Sequence, residues 1–288
     1  MTRQVCLVMH ANREDVPPLA RVIADRLRAA GIEVAVAGDQ HELEDFASID
    51  PVRNELVIVL GGDGTILRAA EMFRDSAVPL LGLNLGRVGF LAELEASDVD
   101  ELITVIEHRA WTVENRRALA VRVVNPDGSE WHSWALNEVA VEKSLRDRML
   151  EVIVSVEGHP VMAWAGDGLI CATPTGSTAY AFSAGGPIIW PAVDAHLLVP
   201  VAAHALFARP LVTAPSASID IAITDELAPA IVVCDGRRNT EAQPGAHVMI
   251  EQSEHPVRFA RIKRAPFANR LVAKFQLPVT GWRNREQA

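Results

Sequence analysis

Five residues, Gly61-Gly62-Asp63-Gly64-Thr65, carry the first chemistry that the chain offers. An apolar run, Leu56 to Leu60, precedes them, and a helical pattern begins directly after. The order is a buried strand, a glycine turn and a helix start, with one carboxylate where the chain reverses. Glycines let backbone come within hydrogen-bonding distance of a phosphate, and a helix amino end presents unpaired N–H groups with a partial positive charge. Gly61, Gly62, Gly64 and Thr65 therefore read as a phosphate loop. Asp63 is out of character there, because a carboxylate repels phosphate unless it has another task. Accepting a proton from an attacking hydroxyl is one such task, and holding a metal ion is another. An acidic helix start in an ordinary strand–helix turn is the plain alternative.

Four further stretches stand out. Gly82 to Phe90, GLNLGRVGF, is a second glycine-rich turn after an apolar strand. It lacks the dinucleotide fingerprint G-x-G-x-x-G, but two such turns at the ends of parallel strands would face one another across a crevice, the usual ligand site of such sheets. Asn137-Glu138 interrupts the apolar run Ala135 to Val141. Neighbours on a strand point to opposite faces, so one of the two should enter a core or pocket, where a bound ligand could satisfy it; a strand end or edge would explain the pair without one. Gly166-Asp167-Gly168 again sets a carboxylate between glycines. Thr173-Pro174-Thr175-Gly176-Ser177-Thr178-Ala179-Tyr180, a stretch continuing to Ser183-Ala184-Gly185-Gly186-Pro187, gathers five hydroxyl side chains in eight residues, the only tyrosine among them, and should open a helix. Helix capping accounts for one or two of these hydroxyls, not all. No G-x-x-x-x-G-K-[ST], H-E-x-x-H or G-x-S-x-G occurs, and the histidines show no ligand spacing.

The elements that must position these residues change character along the chain. In the first third strands alternate with helices: Val5–Met9, a helix carrying Leu19, Val22, Ile23 and Leu27 behind Pro17-Pro18 and stopped by Gly31, then Ile32–Ala37 and Glu55–Leu60. After Asp63 a helix should set Ile66, Leu67, Ala70 and Phe73 on one face, with Arg68 in its first turn. Pro79–Leu83 and a helix over Asp98–Ile106 follow. Such alternation implies a mostly parallel sheet covered on both sides. Beyond Val113 the pattern is of strands. Leu119–Val124 and Trp131–Val141 flank Asn125-Pro126-Asp127-Gly128, Leu150–Val156 and Pro160–Trp164 flank Glu157-Gly158-His159, and short β-rich runs fill Ser218–Ile262. The fold class is α/β: an N-terminal mostly parallel domain (1–113) followed by a β-rich, β-sandwich-like domain (114–265). The tail, 266–288, includes the alternating stretch Leu271–Leu277 and is expected to return to the first domain.

A length of 288 residues suits about two domains. A formal net charge of −10 argues against non-specific binding to nucleic acid or an anionic membrane, and requires local basic groups or a cation wherever phosphate is bound. Cys6, Cys171 and Cys234 are odd in number, lie far apart and sit in apolar runs, so they read as core residues rather than a disulfide or zinc framework. The start of the chain has too short an apolar stretch for a signal peptide. The longest apolar segment, around His196–Leu206, is broken by Pro200 and two histidines. A cytoplasmic protein is expected.

Together, Gly61–Thr65, Asn137-Glu138 and Thr173–Tyr180 resemble the NAD kinases, with matching order and spacing from Val5 to Phe275. The first motif also occurs in diacylglycerol and sphingosine kinases; the other two are more specific. Ser183–Pro191, Cys234-Asp235-Gly236 and Lys274–Trp282 look most like the actinobacterial branch. The resemblance implies transfer of the γ-phosphoryl of ATP, or of polyphosphate, to the 2′-hydroxyl of the adenosine ribose of NAD. It implies Mg²⁺ or another divalent cation with the ATP, and a homodimer or homotetramer. In the family the position of Asp63 is the proposed proton acceptor and that of Gly64 lies against the substrate. The positions of Asn137, Glu138, Asp167, Thr178, Ala179, Tyr180, Ala181, Phe182 and Ser183 bind the dinucleotide. Arg68 and Arg148 match basic site positions, although Arg146 competes with Arg148 for that register, and Phe90 matches an aromatic position near the adenine. Many members have an arginine where Ala165 stands, so that contact is missing here. A lipid or sphingoid-base kinase would share the glycine turn but needs an apolar or membrane-facing surface, and a silent dinucleotide binder would gain nothing from Asp63.

Overall fold

The computed structural model describes residues 3–11, 13–37, 53–86, 89–225, 227–262 and 266–279. Arg87-Val88 of the second glycine turn and Gly281-Trp282 of the tail lie outside the described residues. The chain divides into two compact units, Met1–Asn115 with Val257–Ala288, and Arg116–Pro256.

The chain opens with β1 (Gln4–Met9), α1 (Val16–Ala29), β2 (Glu33–Ala37), β3 (Leu56–Leu60) and α2 (Asp63–Met72). It continues through β4 (Leu80–Asn84), β5 (Leu94–Glu95), α3 (Val99–His108) and β6 (Thr112–Arg116). The second unit follows with β7 (Leu119–Val124), β8 (Glu130–Ala135), β9 (Glu138–Lys143), β10 (Leu150–Val156), β11 (His159–Gly166) and β12 (Gly168–Ala172). After α4 (Tyr180–Ser183) come β13 (His196–Val201), β14 (Leu211–Thr213), β15 (Ile219–Ile223), β16 (Ala230–Cys234), β17 (Arg238–Ala242) and β18 (His247–Gln252). The chain returns to the first unit with β19 (Val257–Arg261) and α5 (Phe267–Phe275).

In the first unit the strands order as β2-β1-β3-β4-β19-β6, and β1–β2, β1–β3, β3–β4 and β4–β19 pair in parallel. All five residues of β3 are buried, as in a strand covered on both faces. The order reverses between β1 and β3, so the turn leaving β3 stands at the carboxyl edge at a switch point, where such sheets take ligands. Two sequence expectations change here. β19, which continues the β-rich run in sequence, joins the parallel sheet beside β4. The alternation over Leu271–Leu277 belongs to a helix: Phe267, Leu271 and Phe275 recur every four residues, and Leu271 is buried.

The second unit has two six-stranded sheets, β11-β10-β15-β18-β7-β8 and β14-β13-β12-β9-β16-β17. Leu119, Val121, Val152, Val154, Ile221 and Val248 of one share a core with Val139, Val141, Leu169, Cys171 and Val232 of the other, which makes a sandwich. The second sheet buries its other face as well. There Ala140, Ile170, Ala172, Leu197 and Val199 pack against Ala181 and Ile189 of the segment that follows β12. Among the described residues no helix is long and apolar enough to cross a membrane.

Candidate active site

In the first unit, Gly61 donates its N–H to the Leu83 carbonyl at 3.0 Å, tying the glycine turn to β4. A Cβ at Gly61 would stand 2.4 Å from Thr65 Oγ1, so glycine is required there by close packing. Gly62 caps α2, its carbonyl accepting the N–H groups of Thr65 (3.0 Å) and Ile66 (3.1 Å). The helix therefore starts at Asp63 itself, which puts half-buried Arg68 in the second turn rather than the first. A Cβ on Gly62 or Gly64 would meet nothing among the described residues within 4 Å. These two glycines leave open space over a helix start whose first N–H groups have no intrahelical partner.

Asp63 links the two glycine-rich turns. Its Oδ2 accepts the Phe90 N–H at 3.0 Å and its Oδ1 the Leu91 N–H at 3.1 Å. Gly89 makes this possible, since a Cβ there would lie 2.3 Å from Asp63 Oδ1. The turns are thus joined through the carboxylate, not held apart by a crevice. Phe90 is only 8% exposed, and its ring packs 5.7 Å from Phe267 and 5.8 Å from Phe275 of α5 (centroid distances).

In the second unit the apolar run Ala135–Val141 is not one strand. It breaks at Leu136-Asn137, so that β8 belongs to one sheet and β9 to the other. The cause is Asp235, in the left-handed turn between β16 and β17 (φ 53°, followed by Gly236 at 65°). Its carboxylate accepts the Leu136 N–H at 2.9 Å and the Asn137 N–H at 2.7 Å, groups that would otherwise pair within a sheet. Arg238 pairs with it at 3.0 Å and stacks over Trp134, 4.5 Å from the ring centroid. From the other side Thr173 donates its N–H to the Asn137 carbonyl (2.9 Å) and its hydroxyl to that of Leu136 (2.6 Å). Gly176 lies so close that a Cβ would stand 2.0 Å from Asn137 O.

Glu138, Ala140 and Glu142 alternate on the outer face of β9, and Val139 and Val141 enter the sandwich core. The Tyr180 hydroxyl donates to Glu142 Oε1 at 2.9 Å. Glu138 is 7% exposed and, among the described residues, its buried Oε2 has no hydrogen-bond partner. Burial, reinforced by the charge of Asp235, pushes its carboxyl up to about 8. Burial and Glu142 push the Tyr180 phenol up to about 12. Asp167, between β11 and β12, pairs with Lys143 Nζ at 2.5 Å.

All five hydroxyls of Thr173–Tyr180 have internal partners, more than capping alone suggested. Ser177 donates to Pro174 O (2.7 Å), Thr178 to Thr175 O (3.2 Å), and Thr175 accepts from Arg116 at 3.5 Å, besides the Thr173 and Tyr180 bonds above. The cluster ties the segment to itself and to the Leu136-Asn137 backbone. Tyr180, Phe182 and Ser183 remain exposed, Thr178 and Ala179 are half-buried, and Ala181 is fully buried beneath them.

Residues 21–110 match the family model for the ATP-NAD kinase N-terminal domain, and residues 136–262 the one for the ATP-NAD kinase C-terminal domain. The chain is 47% identical over 300 residues to the NAD kinase of Thermobifida fusca (strain YX), covering 98% of this chain and 92% of that one. The chain belongs to the ATP-NAD kinase family. NAD kinase 2 of Streptomyces coelicolor is likewise 47% identical over 292 residues, with 98% and 97% covered. The crystal structure of an NAD kinase from Archaeoglobus fulgidus in complex with ATP superposes with a TM-score of 0.73 at 30% identity, covering 95% of this chain and 98% of that one. Yeast NADH kinase complexed with NADH shares the fold, with a TM-score of 0.88 at 22% identity and 97% and 89% covered.

Within this family member the two units hold the expected residues in separate groups. Asp63, Gly61–Thr65, Arg68 and Phe90 stand in the first, and Asn137, Glu138, Asp167 and Thr178–Ser183 in the second. Arg148 is exposed, as is Arg146, in the connection from β9 to β10. Sequence reasoning passed over Asp235, Glu142 and Lys143, which bond to the candidate residues Asn137, Tyr180 and Asp167. The Asp-Gly doublet after β16 signals a turn, but nothing local says whose N–H groups its carboxylate receives. Among the described residues no three His, Cys, Asp or Glu side chains are grouped to hold a metal ion.

Proposed function

We propose that the chain transfers the γ-phosphoryl group of ATP to the 2′-hydroxyl of the adenosine ribose of NAD, giving NADP. The observation that carries this reading is the fixed carboxylate of Asp63 at the start of α2, beside the open backbone of Gly62 and Gly64. Family membership names the reaction, and the name of the Thermobifida fusca relative as an NAD kinase and the ATP complex of the Archaeoglobus fulgidus NAD kinase support these substrates.

Phosphoryl transfer passes through a loose transition state, so catalysis rests on positioning and on charge stabilisation. Asp63 orients the ribose hydroxyl and takes its proton late, on lone pairs not engaged by Phe90 and Leu91. The N–H groups of the Gly62–Gly64 turn and Arg68 face the transferred phosphate. Gly64 lies against the substrate, and Phe90 near the adenine. Asn137, Glu138, Asp167 and Thr178–Ser183 bind the dinucleotide, with Arg148 as a further basic contact. Mg²⁺ or another divalent cation, when bound, neutralises phosphate charge. Asp63 is the carboxylate at the loop that would help to hold such a cation as it arrives on the phosphates. Polyphosphate offers the same anionic groups and is the alternative donor.

The reaction belongs in the cytoplasm, where ATP and NAD are supplied. A homodimer or homotetramer fits apolar side chains left exposed on edge strands of the sandwich, Val161 on β11 and Val212 on β14; sedimentation of the purified chain as a monomer would exclude it. The functional reading is tested by incubating the chain with Mg-ATP and NAD and assaying NADP. Formation of NADP is expected. Its absence with both ATP and polyphosphate would overturn the assignment.

A further inference from the structure

Loop 90–93 is held from two sides within the first unit. On one side the Phe90 and Leu91 N–H groups bond to Asp63. On the other, Arg270 of α5 donates through Nη1 to the carbonyls of Phe90 (2.8 Å) and Ala92 (2.7 Å), and through Nη2 to Glu93 Oε2 (2.8 Å). Arg261 at the end of β19 donates to the Leu91 carbonyl (3.2 Å) and to Glu93 Oε2 (3.0 Å). The Glu93 carboxylate is fully buried, and Arg261 and Arg270 are 11% and 15% exposed. Arg261 also pairs through Nε with Glu114 Oε2 at 2.5 Å, so two guanidiniums meet two carboxylates, and each guanidinium further serves backbone carbonyl groups of the loop.

One peptide group belongs to both sides. The carbonyl of Phe90 accepts from Arg270, and the N–H of the same peptide unit, that of Leu91, donates to Asp63 Oδ1. A guanidinium on the oxygen polarises the amide and strengthens its N–H as a donor, and the planar peptide fixes the direction of that donor. The packing of Phe90 against Phe267 and Phe275 holds α5 to the same loop.

We propose that Arg270 is a positioning residue for phosphoryl transfer: through the Phe90–Leu91 peptide it fixes the Asp63 carboxylate at the angle from which the hydroxyl proton is taken. This rests on the functional reading above. A misplacement of about 1 Å can cost on the order of 10²-fold in rate without a matching loss of binding. Arg270→Ala is therefore expected to lower kcat by about 10²-fold, with KM for NAD and ATP within about threefold of wild type. Arg270→Lys retains the charge but offers its donors from one nitrogen instead of the planar two-nitrogen fork that reaches both the carbonyls and Glu93, and is expected to fall between.

A second readout needs no activity. Amide exchange at Leu91 should quicken at least tenfold in Arg270→Ala while core amides of β1 and β3 stay protected. If Arg270→Ala does not fold, Arg270→Lys carries the test, and a tenfold loss of kcat at unchanged KM is required of it. Unchanged kcat, a change in KM alone, or unchanged Leu91 exchange would overturn the proposal. Wild-type protein that makes no NADP would instead overturn the functional reading, and Leu91 exchange would still decide whether Arg270 holds the loop.

Discussion

Asp235 accepts the backbone N–H of Asn137 at 2.7 Å across 98 residues of chain. That bond is why the sequence Asn137-Glu138 leaves one sheet and enters another, and why Glu138 begins β9 on its outer face. The side chain of Asp235 is 1% exposed, and besides Leu136 and Asn137 it is matched by Arg238.

Removing one partner of a buried pair strands the other. Asp235→Ala should destabilise the second unit by about 3–5 kcal/mol, measured by urea denaturation, and should weaken NAD binding through the displaced Asn137-Glu138. Asp235→Asn should also lower the Glu138 pKa, because it removes the charge that helps to raise it. A loss of stability under about 1 kcal/mol would show that the turn does not depend on this carboxylate.

Glu138 makes stability depend on pH. Its carboxyl is raised from 4.5 to about 8 in the fold, by burial and then by Asp235, with the Tyr180 N–H acting in the opposite direction. Between these values the folded chain keeps a proton that the unfolded chain releases. The stability this gives is full below pH 4.5 and is lost as pH rises towards 8. Asp235 is raised as well, so the comparison must be made at Glu138 alone. Glu138→Gln should match wild type near pH 5 and melt several degrees higher above pH 8; a difference in melting temperature that stays flat with pH would contradict the assignment. Glu138→Ala should weaken NAD binding, and unchanged affinity would leave the residue a structural one.

The glycines of the first turn separate by what surrounds them. Gly61→Ala meets Thr65 and should destabilise the unit, whereas Gly64→Ala meets nothing among the described residues. Inside α2 the added methyl should raise stability by up to about 1 kcal/mol. Activity should nevertheless fall tenfold or more in kcat/KM, because the substrate needs that space. A Gly64→Ala enzyme with wild-type kcat/KM would remove the close approach from the account.

Local pattern made the strand–turn–helix at Asp63 legible, along with the parallel sheet, the hairpins and the hydroxyl-rich segment, because each rests on residues adjacent in sequence. What stayed hidden depends on partners far along the chain. The break at Leu136-Asn137 is set by Asp235, the buried Glu93 by Arg261 and Arg270, and the place of β19 by its pairing with β4. The hydroxyls of Thr173–Tyr180 were visible as a cluster, but not that their partners lie within the fold.

The most direct test of the account is single-turnover phosphoryl transfer from ATP to NAD by wild type and Asp63→Asn, with NAD affinity measured on the same samples. The amide places an N–H against one of the two backbone donors at Phe90 and Leu91, so some stability will be lost as well. Wild type should form NADP. The variant should be slower by about 10³-fold or more, in line with loss of a proton acceptor, while its Kd for NAD stays within about tenfold, or about 1.4 kcal/mol. A variant that keeps its transfer rate, or one that loses NAD binding together with turnover, would contradict the role given to Asp63.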